Sequence, residues 1–368
     1  MLQRMKTLPL LFLALAVAAC GGTTPQPAGG SDSIPPSTPG GSCLSTATPS
    51  VLSRAAAALQ PGQWTVPFAM GGLDQALVSA NGPSVPTLLG FASRGHWDCA
   101  HRTLQFTGTS HTGGLYIDGA GGLLTYNELT NQWTKESYTW SVYDPGHSYY
   151  HNTLNRTNGD LYYRQFNSAT VYRRAFGTTG QASWQAGQVA NIPNNANQVA
   201  GGLEWFPQLN NGAGGLVFVD TFGASWSNAT LTSWQSTPNN LTSGQIHNWI
   251  ALAGGFVYWG GGGDTTAMYR LSPAGVATRM PDTPIGTGVN ENSGVVLAHP
   301  NGTDLLLFGT SAGGPIYRFD GSTWTNIGTH QIGGQLWVGF TIPDYGVMLF
   351  LRHENVGTGD GSAALFKP

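Results

Sequence analysis

Four tryptophans recur at near-regular distances along this chain. Trp133, Trp184 and Trp234 lie 51 and 50 residues apart, and Trp324 follows after 90, which is two units of about 45. Each closes a unit of short apolar runs separated by Gly-bearing turns. A period of 45–50 residues with four runs of strand length in each unit is the signature of radially repeated sheets, whereas helical solenoids repeat differently. Alternation of apolar and polar residues within the runs agrees with strands. The expected fold is all-β, a propeller of about six four-stranded blades.

The units are legible residue by residue. The first is read as Thr103–Phe106, Gly114–Ile117, Leu124–Asn127 and Trp133, and the second as His151–Leu154, Gly159–Tyr163, Val171–Arg173 and Trp184. The third runs through Gly202–Phe206 and Gly215–Val219 to Trp234. The fourth has Trp249–Leu252, Gly255–Trp259 and Met268–Leu271 without a closing Trp, and the fifth has Gly294–Leu297, Asp304–Phe308, Ile316–Phe319 and Trp324. The sixth, Leu336–Phe340, Tyr345–Phe350 and Ala364–Phe366, ends one strand short. Gln63–Phe68, an orphan run carrying Trp64, is expected to supply that strand and close the ring, since an open ring would expose strand edges. Seven blades would require Leu73–Phe91 to be rich in strands. Composition agrees: 53 of 368 residues are Gly and only 9% are charged, which suits tight turns better than helices.

The N-terminus carries a different signal. Arg4 and Lys6 precede an apolar run, Leu8–Ala19, that is too short to span a bilayer and reads as an export signal. It ends in Val17-Ala18-Ala19-Cys20, which resembles the bacterial lipoprotein box and implies acylation of Cys20. The expected organisation is therefore a signal peptide (1–19), a lipidated Gly/Pro/Ser tether (20–42) and a propeller domain (43–368). The expected location is the extracytoplasmic side of the cell envelope, with the bilayer as a partner through the acyl chains. Cys43 and Cys99 remain, and export favours a disulfide between them. A net charge of −3 offers no basic surface for nucleic acid, and the chain is expected to be monomeric.

Tyr126-Asn-Glu-Leu-Thr-Asn-Gln-Trp133 and Tyr317-Arg-Phe-Asp-Gly-Ser-Thr-Trp324 resemble the kelch and galactose-oxidase-type propeller superfamily, in which a strand bearing Tyr leads through a turn to Trp. The Gly doublet that ends the second kelch strand is clear only at Gly260-Gly261. The resemblance implies the fold and carries little about function.

Propellers gather ligands at the central channel. Aligning the repeats puts His101, His151, Glu204, His247-Asn248 and Asn290-Glu291-Asn292 at the start of inner strands, with His147 and Asp98 just upstream of two of them. Three readings follow. His101, His151, His247 and Glu204 offer nitrogen and oxygen donors for a divalent metal, though without a short ligand spacing; no cofactor is otherwise expected. His151, His101, His247 and Tyr150 could act as acid and base in a polysaccharide lyase or hydrolase, with Arg156 or Arg102 neutralising a uronate. Alternatively these groups cap strands and do no chemistry. His147, Tyr149, Glu204, Asn248 and Glu291 are candidate ligand contacts, and the aromatic segment Tyr143–His151 is a candidate glycan-binding loop. His299 and His330 are expected on surface loops. The favoured reading is a recognition module for a glycan, an envelope component or a protein, with the polysaccharide lyase or hydrolase as the alternative.

Overall fold

The computed structural model describes residues 48–77, 88–89, 92–108, 121–138, 148–164, 168–193, 201–220, 223–238, 249–261, 266–287, 294–309, 311, 313–330, 332, 337–353 and 361–368. Residues 1–47, with the expected signal, Cys20 and Cys43, lie outside them, as do His147, His247, Asn248 and Glu291.

The described residues form six four-stranded antiparallel sheets. A first strand, β1 (Trp64–Phe68), precedes the blades. Blade I is β2 (His96–Asp98), β3 (Thr103–Gly108), β4 (Gly121–Asn127) and β5 (Gln132–Tyr138). Blade II is β6 (Asn152–Asn155), β7 (Asp160–Arg164), β8 (Val171–Arg174) and β9 (Trp184–Gln185). Blade III is β10 (Gly202–Phe206), β11 (Gly215–Val219), β12 (Gly223–Ser227) and β13 (Trp234–Pro238). Blade IV is β14 (Trp249–Ala253), β15 (Phe256–Gly260), β16 (Met268–Leu271) and β17 (Ala277–Met280). Blade V is β18 (Val295–Ala298), β19 (Leu305–Phe308), β20 (Pro315–Phe319) and β21 (Trp324–Thr329). Blade VI is β22 (Trp337–Ile342), β23 (Val347–His353) and β24 (Gly361–Phe366), completed by β1.

Inner strands β2, β6, β10, β14, β18 and β22 neighbour one another in that order and return to β2, so the sheets close as a six-bladed propeller. Closure uses the N-terminal strand: Trp64 pairs with Phe366 and Thr65 with Leu365 across β1–β24, and the rings of Trp64 and Phe366 stack at 4.2 Å. Trp64 thereby occupies in blade VI the place that Trp133, Trp184, Trp234 and Trp324 hold in theirs, the first or second residue of the outermost strand. In blade IV the place is taken by Ala277, which is why no tryptophan was visible there.

Blade I differs from the sequence reading. Its inner strand is His96-Trp97-Asp98, and Thr103–Gly108 is the second strand; the run Gly114–Ile117 lies outside the described residues. A three-residue strand with a Trp between two polar residues carries too little apolar pattern to be seen. Leu73–Leu77 forms a short helix, and six blades is the count.

Apolar side chains fill the seams between blades, and one continuous cluster covers those of blades III–IV and IV–V. Leu123, Leu154, Leu161, Tyr163 and Trp184 fill the seam of blades I and II, and Tyr162, Val171, Leu203, Leu216 and Phe218 that of II and III. Phe308, Ile316, Met348, Phe350 and Phe366 join V to VI, and Phe340 meets Phe106 and Trp133 between VI and I. The closing tryptophans thus pack between blades, as expected. Phe340 approaches so near that a Cβ at Gly95 would overlap its ring.

A helix, α1 (Val51–Ala58), leads into the ring and is latched to it through Glu128, a fully buried carboxylate. Arg102 Nε donates to Glu128 at 2.7 Å, the Tyr345 hydroxyl donates at 2.6 Å, and Ser50, the N-cap of α1, donates as well. A buried charge needs such donors to offset its lost hydration. Arg102 is therefore committed to Glu128 and is not the uronate partner that the sequence suggested.

Candidate functional site

The turns joining each inner strand to its neighbour gather on one face. They enclose an axial cavity of about 470 Å³, within the usual range for small-molecule sites. Its mouth is lined by Arg156 and Thr157 from blade II, Pro207 and Gln208 from III, Gly255 from IV, His299 and Gly302 from V, and Pro343 from VI. Sequence dictates these turns. Gly254-Gly255 closes β14–β15 as a two-residue hairpin with both residues at positive φ, a conformation that glycine adopts without steric cost. Asn155 to Asp160 is bridged by four residues ending in Gly159, which is also at positive φ, and this shape presents Arg156 at the mouth.

The floor is built by Arg94, which is 6% exposed. Its guanidinium donates to Asn152 O at 2.9 Å, Leu203 O at 2.7 Å and Ile250 O at 2.8 Å, and pairs with the Glu204 carboxylate. One side chain from the blade I lead thus ties the inner strands of blades II, III and IV. Glu204 also accepts from Thr153 Oγ1 at 3.2 Å. Backbone bonds hold Arg94 in place: Gly95 N–H donates to Gly339 O, and Gly339 N–H donates to Ser93 O. Beneath it, Tyr150 spans the channel and donates from its hydroxyl to Val296 O at 3.2 Å.

His96 lines the same cavity and hydrogen-bonds Asn152 O at 3.0 Å. Burial, reinforced by the Arg94 charge, holds its pKa well below the usual histidine value. His299 and His330 are also lowered, chiefly by burial. A histidine depressed in the folded state binds fewer protons than in the unfolded chain. Its contribution is complete above the unfolded pKa, about 6.5, and is lost as pH falls below it. The urea midpoint is expected to drop between pH 7.5 and pH 5.5, and His96→Gln should flatten part of that slope. Asp304, lowered by its hydrogen bonds and Arg318, acts below this window. A midpoint that rises on acidification, or an unchanged slope in the variant, would refute the assignment.

The sequence-derived candidates are dispersed. His151 is fully buried, within 3.4 Å of Arg164 Nη1. Tyr149 and Tyr150 are 2% exposed, and burial pushes both phenols up, away from ionisation near neutral pH. His101 sits in the β2–β3 turn rather than at the start of an inner strand, and pairs with Asp98 at 2.7 Å while stacking on Phe176. Cys99 lies half-buried beside Asp344, and Cys43, its expected partner, lies outside the described residues. Among the described residues no three His, Cys, Asp or Glu side chains gather as a metal site, so His101, His151 and Glu204 do not form one. Glu204 and Arg156 do meet, in the cavity. His330 is buried, with Nε2 bonded to Gly309 O, and His299 lines the cavity, so neither is a simple surface residue.

Arg94, His96 and Trp205 are the cavity residues that sequence reasoning missed. The signal is an Arg-Gly-His cluster in a chain with few charges, directly before a Trp; it is hidden because Thr103–Phe106, with the stronger apolar pattern, reads as the inner strand. A second, smaller cavity of about 210 Å³ lies between blades I and II, and its charges, Arg174 and Glu136, are paired at 2.7 Å.

No family model matches the chain, and no curated protein matches it; the kelch type suggested by the Tyr-to-Trp motifs is thus without support beyond the fold. Among solved structures the chain is similar to regucalcin, a calcium-binding protein from Agrobacterium tumefaciens str. C58, at 13% identity over 77% of this chain and 91% of that one, with a TM-score of 0.49. It is similar to catalytically inactive virginiamycin B lyase from Staphylococcus aureus at 11% identity over 72% and 91%, with a TM-score of 0.45. It is also similar to a luciferin-regenerating enzyme at 11% identity over 81% and 94%, with a TM-score of 0.49. At this identity the likeness concerns architecture alone, and the chain is a six-bladed β-propeller.

Proposed function

We propose that this protein is a lipid-anchored recognition module on the extracytoplasmic side of the cell envelope, whose ligand enters the axial cavity from the turn-bearing face. The observation that carries the reading is the cavity itself. Turns of five blades converge on it, while Arg94, Glu204 and Tyr150 spend their bonds on the walls and floor. Such a site holds a small molecule, or the end of a glycan or other envelope component, without needing a catalytic pair. Acylation at Cys20 supplies the anchor and residues 21–42 the tether. The lyase or hydrolase alternative keeps Arg156 in the cavity but loses the acid and base assigned to it, because His151 and Tyr150 are buried and are not among the residues that line the cavity.

The test is a screen of envelope-derived glycans and small molecules for binding and for ultraviolet-absorbing unsaturated products, run in parallel on Thr157→Trp. Thr157 is exposed in its turn, so an indole there should block the mouth while leaving the fold intact. Binding lost in the variant, without product formation, is the expected result. Binding that survives the blockage would reject the cavity as the site. Cys20→Ser should move the protein out of the membrane fraction; retention there would reject the anchor.

A further inference from the structure

The charges in the cavity do not cancel. Arg94 and Glu204 neutralise each other in a buried pair, and among the described lining residues Glu204 is the only carboxylate. Arg156 remains. It makes no hydrogen bond and no ion pair among the described residues, although Glu204, Asp344, Arg94 and Asp98 are near enough to act on it electrostatically. Solvent reaches its side chain, yet the surrounding wall desolvates it enough to lower its pKa; a guanidinium stays protonated at neutral pH regardless. His96 and His299, held neutral, add no charge. The Nε of Arg94 is also buried without a partner among the described residues.

The remaining wall is mostly apolar: Leu154, Ala251, Leu252, Leu297 and Ala298 surround the half-buried indole of Trp205, which is stacked from behind by Tyr162 at 5.7 Å. Resting on the cavity as the ligand site, we propose that it takes an amphiphilic monocarboxylate, with the carboxylate on Arg156 and an apolar body against the aliphatic wall and Trp205. Among the described lining residues Arg156 is the one cation without an ion-pair partner, with Asp344 and Asp98 acting on it from outside the lining; one such charge matches one carboxylate and leaves a dianionic phosphate half-neutralised. A planar guanidinium fork pairs with a carboxylate through two parallel bonds. An apolar wall favours a hydrocarbon body over the hydroxyl-covered body of a sugar acid, whose hydroxyls would lose water without gaining partners.

The test is calorimetric titration of the full-length Cys20→Ser protein in detergent-free buffer with octanoate, 1-octanol, galacturonate, N-acetylleucine and inorganic phosphate. Octanoate should bind roughly ten- to a hundredfold tighter than 1-octanol, the span expected of one partly desolvated charge-assisted pair. Arg156→Gln should bring octanoate down to the level of 1-octanol, and Arg156→Lys should recover part of the difference. Unchanged thermal melts would show that the turn tolerates both changes. N-acetylleucine binding above octanoate, with the same dependence on Arg156, would support the class and point to acylated amino acids rather than fatty acids as its source. Equal binding of octanoate and 1-octanol, or indifference to Arg156→Gln, would overturn the carboxylate pairing. Tighter binding of galacturonate or phosphate than of octanoate would overturn the apolar body or the single charge. In each of those cases the cavity reading survives if Thr157→Trp still abolishes binding, and it falls if that variant binds as the parent does.

Discussion

A chain beginning at residue 69 is expected to aggregate, while one beginning at residue 43 remains a soluble monomer. The truncation removes β1 and with it the Trp64–Phe366 and Thr65–Leu365 pairs, leaving the outer edge of β24 unpaired. It also strips the stacked indole of Trp64 from Phe366 and Phe350 in the seam of blades V and VI, and removes Leu52, Ala56 and Leu59 of the α1 region, all buried. An exposed edge with apolar residues beneath it is a template for intermolecular pairing. In a ring of sheets each blade is stabilised by its neighbours, so a weakened blade VI exposes two seams at once. The losses together are comparable with the whole net stability of a domain, about 5–15 kcal/mol. The single change Trp64→Ala, at a partly exposed ring, should cost about 2–4 kcal/mol, toward the lower end for a tryptophan truncation. Size-exclusion chromatography and thermal melting decide the matter. A truncated chain that elutes as a monomer and melts within a few degrees of the longer one would show that closure does not depend on β1.

Removing Arg94 should produce the second large effect. Arg94→Ala deletes three bonds to inner-strand carbonyls and leaves the Glu204 carboxylate, 8% exposed, with Thr153 as its remaining side-chain donor. Breaking one half of a buried ion pair costs about 3–5 kcal/mol, because the survivor keeps its desolvation penalty without its partner. At about 2–4 °C per kcal/mol this lowers Tm by roughly 10 °C. The double variant Arg94→Met with Glu204→Met should recover part of the loss, since an apolar replacement of both partners removes the stranded charge. Urea unfolding of the two variants checks this. A single variant as stable as the parent, or a double variant worse than the sum of the two single changes, would mean that Arg94 is not the tie between blades II, III and IV.

Both predictions concern residues of very different visibility in the sequence. Trp64 was legible because a 45–50-residue period left one blade a strand short and one strand without a blade. Spacing of the large aromatics is a property of the chain alone, and each Trp must find an apolar seam wherever its blade falls. Arg156 was legible as a cation that could neutralise a carboxylate, though not its place in a turn at the cavity mouth. Arg94 and His96 were not, because the strand that His96 begins is three residues long, too short to show a period. Their meaning comes only from the carbonyls of Asn152, Leu203 and Ile250, which lie 58 to 156 residues away. His151 and Tyr150 failed in the opposite direction: repeat alignment located them near the axis, but which side of the floor they occupy depends on how the blades tilt and pack.

What the chain by itself determined is therefore the repeat, the number of blades and the means of closing the ring, since these follow from local periodicity and from the need to leave no sheet edge unpaired. Only the tertiary structure decided where the axial cavity opens, which charges around it cancel, and that Arg156 is left over. Charge balance at a channel is a sum over residues from every blade, and no single stretch of sequence contains that sum.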